Sequence, residues 1–180
     1  MYGIPLARLT PEMAVDEINQ LSTQLGAYLQ RLDAQVATAE SCTGGGIAEA
    51  ITRVAGSSAW FEAGYITYSN AQKTAQLEVP EALFSAPGAV SREVVESMAR
   101  AAQRKSGARF SVAVSGIAGP SGGSPEKPVG TVWLAWTDGA RLYAQRHLFE
   151  GDRAAVRHQT ILCALHGLLH LCAGEIPGQG

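Results

Sequence analysis

Cysteine is scarce in this chain, with three residues among 180, at positions 42, 163 and 172. An odd number at such wide spacing argues against a disulfide framework and against a cysteine-based zinc site. Free thiols are typical of a reducing compartment, so we expect a cytoplasmic location.

Charged residues are also few. Charged residues make up 17% of the chain and the net charge is -2. Without a basic patch the sequence offers nothing to attract nucleic acid or an anionic membrane surface. No apolar run is long enough to span a bilayer, and the first residues lack the apolar core and cleavage site of a secretory signal. We therefore expect neither a nucleic-acid partner nor a membrane partner.

What the chain does have is an ordinary hydrophobic fraction of 46% and enough residues for one domain with a full core. Thr10 and Pro11 resemble the N-cap and first position of a helix, and the apolar period continues to about Leu32. A further helix is predicted to start at Ser91, because the segment that follows has acidic residues early and basic residues late, an order that suits the helix dipole.

Further along the chain, segments with a strand-like pattern alternate with segments that have a helical apolar period. Strands are predicted ending near residue 39, over 58–69 and over 108–116, and as a hairpin through Asp138 and Gly139. Helices are predicted at about 44–53 and 70–77, and from 151 to about 172. The order α-β-α-β-α-α-β-β-β-α indicates a single-domain α/β/α sandwich with a mixed β-sheet.

The segment "AESCTGGG", residues 39–46, joins a predicted strand to a predicted helix. Backbone N–H groups of Cys42, Thr43 or Gly44 in such a turn could stabilise an oxyanion or bind phosphate, and Ser41 stands where a nucleophile could be held. An ordinary capping serine is the simpler interpretation. The segment is neither a Walker A loop nor a GxSxG elbow.

Cys42 is the rival nucleophile, but cysteine hydrolases normally need a histidine partner, and all four histidines lie in the last quarter of the chain. His166 and His170 share a helix face and could form a metal pair. No acidic or cysteine ligand stands nearby at matching spacing, so we expect a solvated helix edge and no metal site.

The segment "YSNAQK", residues 68–73, places Lys73 early in a short helix after a strand. A lysine there is usually a solvated surface residue. Serine hydrolases without a histidine, however, often use lysine as the base. Tyr68 could relay a proton to that lysine or orient it.

Four segments, "AESCTGG", "GSSAWFEAGYITYSNAQK", "SVAVSGIAGPSGGSPEKPVGTVW" and "GDRAAVRHQ", together resemble the CinA C-terminal family, whose enzymes are nicotinamide-nucleotide amidases. The resemblance covers about residues 12–172, so residues 1–180 are expected to form one such domain. Some family members carry a further N-terminal domain, and this chain resembles the stand-alone form.

The resemblance implies that Ser41 is the nucleophile, that Lys73 is the general base and that Tyr68 assists. It also implies a set of substrate-binding residues, in which the backbone donors follow the nucleophile, two small residues line the pocket and two arginines are alternatives for the phosphate. These are Cys42, Thr43, Gly44, Ser115, Gly116, Arg153 and Arg157.

The expected activity is hydrolysis of nicotinamide mononucleotide to nicotinate mononucleotide and ammonia in pyridine nucleotide recycling. The expected partner is this small nucleotide, with no metal or organic cofactor, in a homo-oligomer. One alternative is a non-catalytic nucleotide-binding module that uses the glycine turn as a phosphate cradle. Another is an interaction domain in DNA uptake or recombination, which the competence-related family name suggests.

Overall fold

The computed structural model describes residues 11–178, and there the elements follow the predicted order with one short helix added. The helices are α1 (Pro11–Arg31), α2 (Gly46–Thr52), α3 (Asn70–Leu77), α4 (Ala82–Ser85), α5 (Arg92–Ser106) and α6 (Arg153–Cys172), with a 3₁₀ turn at Ser57–Ala59. The strands are β1 (Val36–Glu40), β2 (Phe61–Ile66), β3 (Phe110–Gly116), β4 (Thr131–Thr137) and β5 (Leu142–Leu148). No helix in this range is long and apolar enough to cross a membrane.

The five strands form one mixed sheet in the order β2-β1-β3-β4-β5. Strand β1 runs parallel to both β2 and β3, whereas β4 is antiparallel to β3 and β5. Helices α1, α2 and α6 pack together on one face, and α5 covers the other face with α3 and α4 beside it. This arrangement confirms the predicted α/β/α sandwich with a mixed sheet.

A separate apolar core fills the space on each side of the sheet. Leu25, Ile51 and Leu168 belong to the core under α1, α2 and α6, while Leu77 and Met98 belong to the core under α3 and α5. Strand β3 contributes alternate residues to both cores, which confirms the prediction that it is buried on both faces.

The boundaries differ from prediction in three places. Helix α2 starts at Gly46 rather than Gly44, α4 was not predicted, and the predicted strand 58–69 is reduced to 61–66. The strand starts late because Gly56 adopts a positive φ and opens the 3₁₀ turn, which places Trp60 in the core against α1. The predicted N-cap Thr10 lies outside the described residues.

The parallel strands determine where a site can form. Because β1, β2 and β3 run the same way, their carboxyl ends meet at one edge, marked by Glu40, Ile66 and Gly116. The connection from β1 to β2 runs over one face through α2, and the connection from β2 to β3 runs over the other through α3, α4 and α5. Connections that diverge to opposite faces leave a crevice at this edge, where open α/β sheets bind ligands.

Candidate active site

The segment after β1 is a tight glycine turn that starts from the sheet. The Ser41 N–H donates to the Val114 carbonyl at 3.2 Å, which extends the pairing with β3 by one residue. Gly44 and Gly45 then adopt φ values of +59° and +98°, which residues with a Cβ rarely adopt. Two glycines in succession therefore allow the chain to turn directly from the strand into α2.

The carboxylate of Glu40, the last residue of β1, holds this turn in place. The side chain is fully buried, and its Oε2 accepts from the Thr43 hydroxyl at 2.6 Å, the Gly45 N–H at 3.2 Å and the Ile47 N–H at 3.0 Å. Its Oε1 accepts from the Ala48 N–H at 2.8 Å. Gly45, the N-cap of α2, has no side chain, so Glu40 caps the helix from the preceding strand.

This capping changes which backbone donors the turn can offer. The Gly44 N–H donates to the Ser41 carbonyl at 3.0 Å, so this predicted oxyanion donor is already used within the turn. Among the hydrogen bonds between different residues in the range 11–178, none uses the N–H of Cys42 or Thr43. Those two donors remain for a developing negative charge. A phosphate cradle in this turn is disfavoured, because the N-terminal donors of α2 already point at a carboxylate.

Sequence reasoning missed Glu40. Its only signal was an acidic residue directly after an apolar strand and before a glycine-rich helix start. A carboxylate seven residues ahead of a helical N–H is too far along the chain for the usual capping patterns, so only the folded turn reveals the contact.

The structure brings Ser41 and Lys73 together, although 32 positions separate them in sequence. Lys73 is 1% exposed, and its Nζ lies 3.1 Å from Ser41 Oγ. The same Nζ donates to the carbonyls of Thr67 at 3.0 Å and Tyr68 at 3.2 Å. Lys73 lies in the first turn of α3, so the start of this helix positions it. That start is fixed by Ser69, the N-cap, which accepts from the Gln72 N–H.

Burial shifts the pKa of the rival nucleophile Cys42 and of the candidate base Lys73. Removal from water lowers the pKa of Lys73 below its ordinary value. Burial also raises the pKa of Cys42 to about 11, so its thiol stays protonated near neutral pH. The environment therefore favours a neutral amine beside Ser41 and suppresses a thiolate at Cys42.

The surroundings of Nζ also orient a neutral amine. A charged lysine has three N–H donors, while the neutral amine has two and one lone pair. Backbone carbonyls can only accept, so the carbonyls of Thr67 and Tyr68 take the two hydrogens of the neutral form. The lone pair then faces Ser41 Oγ, as a general base requires.

Tyr68 contacts Lys73 through its main chain and not through its phenol. Its side chain is 57% exposed, and its hydroxyl accepts from the Arg153 guanidinium at 2.7 Å. Only its backbone carbonyl reaches Lys73. The tyrosine thus orients the lysine through its main chain, and its phenol joins the arginine at the rim of the site.

Two neighbouring cavities lie at this site, and Ser41 and Lys73 line the first of them. The first, of about 210 Å³, is lined by the catalytic candidates and small residues, namely Ser41, Cys42, Tyr68, Asn70, Lys73, Ala89, Val90, Ser115, Gly116, Ala118 and Arg153. The second, of about 500 Å³, lies at the start of α6 and is lined by both candidate arginines. Ala118 and Arg153 line both cavities, so the two adjoin.

The two arginines make different contacts. Arg153 donates to the Gly119 carbonyl at 2.9 Å and stands at the junction of the cavities. Arg157 donates to the Thr43 carbonyl at 2.9 Å and therefore holds the turn after Ser41 from the side of α6. Ser115 lines the smaller cavity, as predicted, but its hydroxyl donates to the Ala89 carbonyl at 2.8 Å.

The histidines lie elsewhere. His166 is exposed, and its ring reaches Glu17 at 3.9 Å. Among residues 11–178, no group of three or more histidine, cysteine or acidic side chains could hold a metal ion.

Comparison with known proteins gives consistent matches. Residues 18–172 match the family model described as the CinA C-terminal domain. The chain is 71% identical over 157 residues to the nicotinamide-nucleotide amidohydrolase PncC of Pseudomonas putida, spanning 87% of this chain and 98% of that protein. It is 50% identical to the protein of the same name from Escherichia coli K12, over 87% of this chain and 95% of that protein.

Solved structures of CinA-related proteins share the fold of this chain. A CinA superfamily protein from Klebsiella pneumoniae superimposes with a TM-score of 0.84 at 34% identity, covering 87% of this chain and 98% of that one. A competence/damage-inducible protein from Agrobacterium tumefaciens also superimposes with a TM-score of 0.84, at 41% identity, covering 86% and 95% of the two chains.

The Glu40 contacts lead to a stability prediction. We expect Glu40→Gln to lower the free energy of unfolding by about 1–3 kcal/mol, because the amide turns a donor toward a buried donor. Glu49→Gln is the matched control, since Glu49 forms only a surface pair with Arg53 and should change stability by less than about 0.5 kcal/mol. Urea denaturation measures both. Equal effects for the two variants would contradict the anchoring role.

Proposed function

The chain belongs to the CinA C-terminal domain family, and from that premise we propose that it hydrolyses the carboxamide of nicotinamide mononucleotide, in pyridine nucleotide recycling. The chain is an enzyme, as its relatives of high identity are. The observation that carries the mechanism is the 3.1 Å contact between Ser41 Oγ and the buried Nζ of Lys73. Release of ammonia from nicotinamide mononucleotide by the purified protein tests the activity and separates it from a binding module or an interaction domain.

The first half of the reaction forms an acyl-enzyme. Ser41 Oγ attacks the carboxamide carbon while its proton passes to the lone pair of Lys73. The carbonyl oxygen becomes an oxyanion that the free N–H groups of Cys42 and Thr43 stabilise. The C–N bond then breaks, and Lys73 returns the proton to the nitrogen, which leaves as ammonia.

The second half reverses these roles. A water molecule attacks the acyl carbon, and Lys73 accepts its proton. The bond to Ser41 Oγ breaks, and the serine regains a proton from Lys73. Nicotinate mononucleotide is formed as the carboxylic acid and loses its remaining proton to solvent as it leaves as a carboxylate. No step calls for a metal or an organic cofactor.

The remote phosphate supplies the positioning energy. The reacting amide is small, so orientation depends on the rest of the nucleotide. We place the amide in the 210 Å³ cavity with Ser41 and the ribose phosphate in the adjoining 500 Å³ cavity. Arg153 stands between them, and its two contacts leave further N–H donors for a phosphate.

The nucleophile assignment predicts a ranking of two variants. Ser41→Ala should abolish turnover, whereas Cys42→Ala should keep most of it, because the Cys42 thiol is protonated and contributes through its backbone N–H. The measurement is kcat/KM for ammonia release, with circular dichroism to check folding. The reverse ranking would assign the attack to the thiol.

The base assignment predicts the pH dependence. Only the neutral amine of Lys73 can accept the serine proton, so kcat/KM should rise with pH through the lowered pKa of Lys73 and then level off. Lys73→Arg should be nearly as inactive as Lys73→Met, since arginine stays protonated at any working pH. Substantial activity in Lys73→Arg would reduce the lysine to an electrostatic or positioning group.

A substrate that lacks the phosphate should distinguish the roles of Arg153 and Arg157. Arg153→Ala should weaken transition-state binding of the mononucleotide by about 2–5 kcal/mol and affect nicotinamide riboside far less. Arg157→Ala should impair both substrates to a similar degree, because Arg157 holds the Thr43 carbonyl. The measurement is kcat/KM for each substrate and variant. A wild-type enzyme that uses both substrates equally well has no phosphate site.

A further inference from the structure

One polar side chain of the smaller cavity has no partner within the protein. Asn70 is exposed and lines this cavity at its solvent side, and among the hydrogen bonds of residues 11–178 none involves its side-chain amide. Apart from the Cys42 thiol, the other polar side chains of the lining all make hydrogen bonds within the chain. These are Ser41, Tyr68, Lys73, Ser115 and Arg153.

The helix does not need Asn70 for its own stability. Helix α3 begins at Asn70, but Ser69 is its N-cap and already accepts from the Gln72 N–H at 3.2 Å. The Asn70 amide is therefore available to a ligand.

Asn70 stands beside the proposed base. It precedes Lys73 by three positions in α3, and residues three apart in a helix lie on the same face. Both line the cavity that holds Ser41. Asn70 and Lys73 therefore both reach this cavity from α3.

The carboxamide of the proposed substrate has N–H donors that require an acceptor. A primary carboxamide has one carbonyl and two in-plane N–H donors. The carbonyl oxygen is directed at the N–H groups of Cys42 and Thr43, which leaves the amide nitrogen without an acceptor. A donor left unpaired in a cavity costs binding energy, and a site that pairs it rejects analogues that lack the donor.

We propose that Oδ1 of Asn70 accepts an N–H of the substrate carboxamide and makes Asn70 the residue that selects amides over esters. The contact fixes the plane of the carboxamide, so that one face meets Ser41 and the nitrogen points to Lys73. This inference rests on the proposed function, since it names the group that recognises the same reacting amide.

The test compares two substrates that differ only at the leaving group. The first is nicotinamide mononucleotide, and the second is the methyl ester of nicotinate mononucleotide, which keeps the ring cation, carbonyl and phosphate but has no N–H. Asn70→Ala in the full chain should lower kcat/KM for the amide about 3- to 12-fold, the loss of one hydrogen bond. Its kcat/KM for the ester should change less than about twofold, because the ester never made that bond.

A conservative variant separates acceptor from donor. Asn70→Asp keeps an acceptor oxygen and removes the NH₂ group. Its carboxylate raises the pKa of the nearby Lys73, so the comparison is made on the alkaline plateau of each pH profile. There the aspartate variant should recover most of the activity on the amide that Asn70→Ala loses.

The control is Gln72→Ala, which removes a similar side chain from the same turn of α3. Gln72 is exposed, as Asn70 is, but its side-chain oxygen accepts from Gln76, and it does not line the cavity. It should alter neither substrate. Circular dichroism of all variants should match wild type.

The outcomes separate this inference from the proposed function. Wild-type activity on both substrates with equal losses on amide and ester in Asn70→Ala would overturn the inference alone, since the side chain would then act on the carbonyl or on folding. The absence of any loss would overturn it as well. A wild-type protein that releases neither ammonia nor methanol would end both proposals.

Discussion

The site depends on a single buried carboxylate at the end of the central parallel strand. Glu40 accepts one hydroxyl and three backbone hydrogen bonds, and these contacts fix where β1 ends, how the glycines turn and where α2 begins. They also use the helix donors that would otherwise attract an anion. The donors of Cys42 and Thr43 are left beside the serine, which suits an oxyanion hole rather than a phosphate cradle.

Lys73 illustrates the tension between stability and function at such a site. Burying an ammonium group is unfavourable, and the protein offsets this with two backbone carbonyls at hydrogen-bond distance. Those carbonyls accept from the charged and the neutral amine alike, although the bonds from the charged form are the stronger ones. The third direction of Nζ is occupied by Ser41 Oγ, the contact that the proposed chemistry uses.

The remaining polar groups share the tasks around this pair. Arg157 supports the turn through a backbone carbonyl, while Arg153 joins Tyr68 and the 117–130 loop at the boundary of two cavities. A substrate with a small reacting head and a charged remote group fits two adjoining cavities with a cation between them.

The sequence by itself determined the fold class, the order of the predicted elements and the candidates Ser41 and Lys73, because periodicity and turn residues are local signals and the four motifs are family-specific. It left the two arginines equivalent and placed the start of α2 two residues early. It assigned Gly44 a donor that is used inside the turn, and it did not reveal the contacts of Glu40. Only the tertiary structure decided these points. The bond from Lys73 to Ser41, 32 positions apart, depends on how the parallel strands β1 and β2 bring their carboxyl ends together. The bond from Arg157 to Thr43, 114 positions apart, depends on how α6 packs beside α2, and no local pattern records either arrangement.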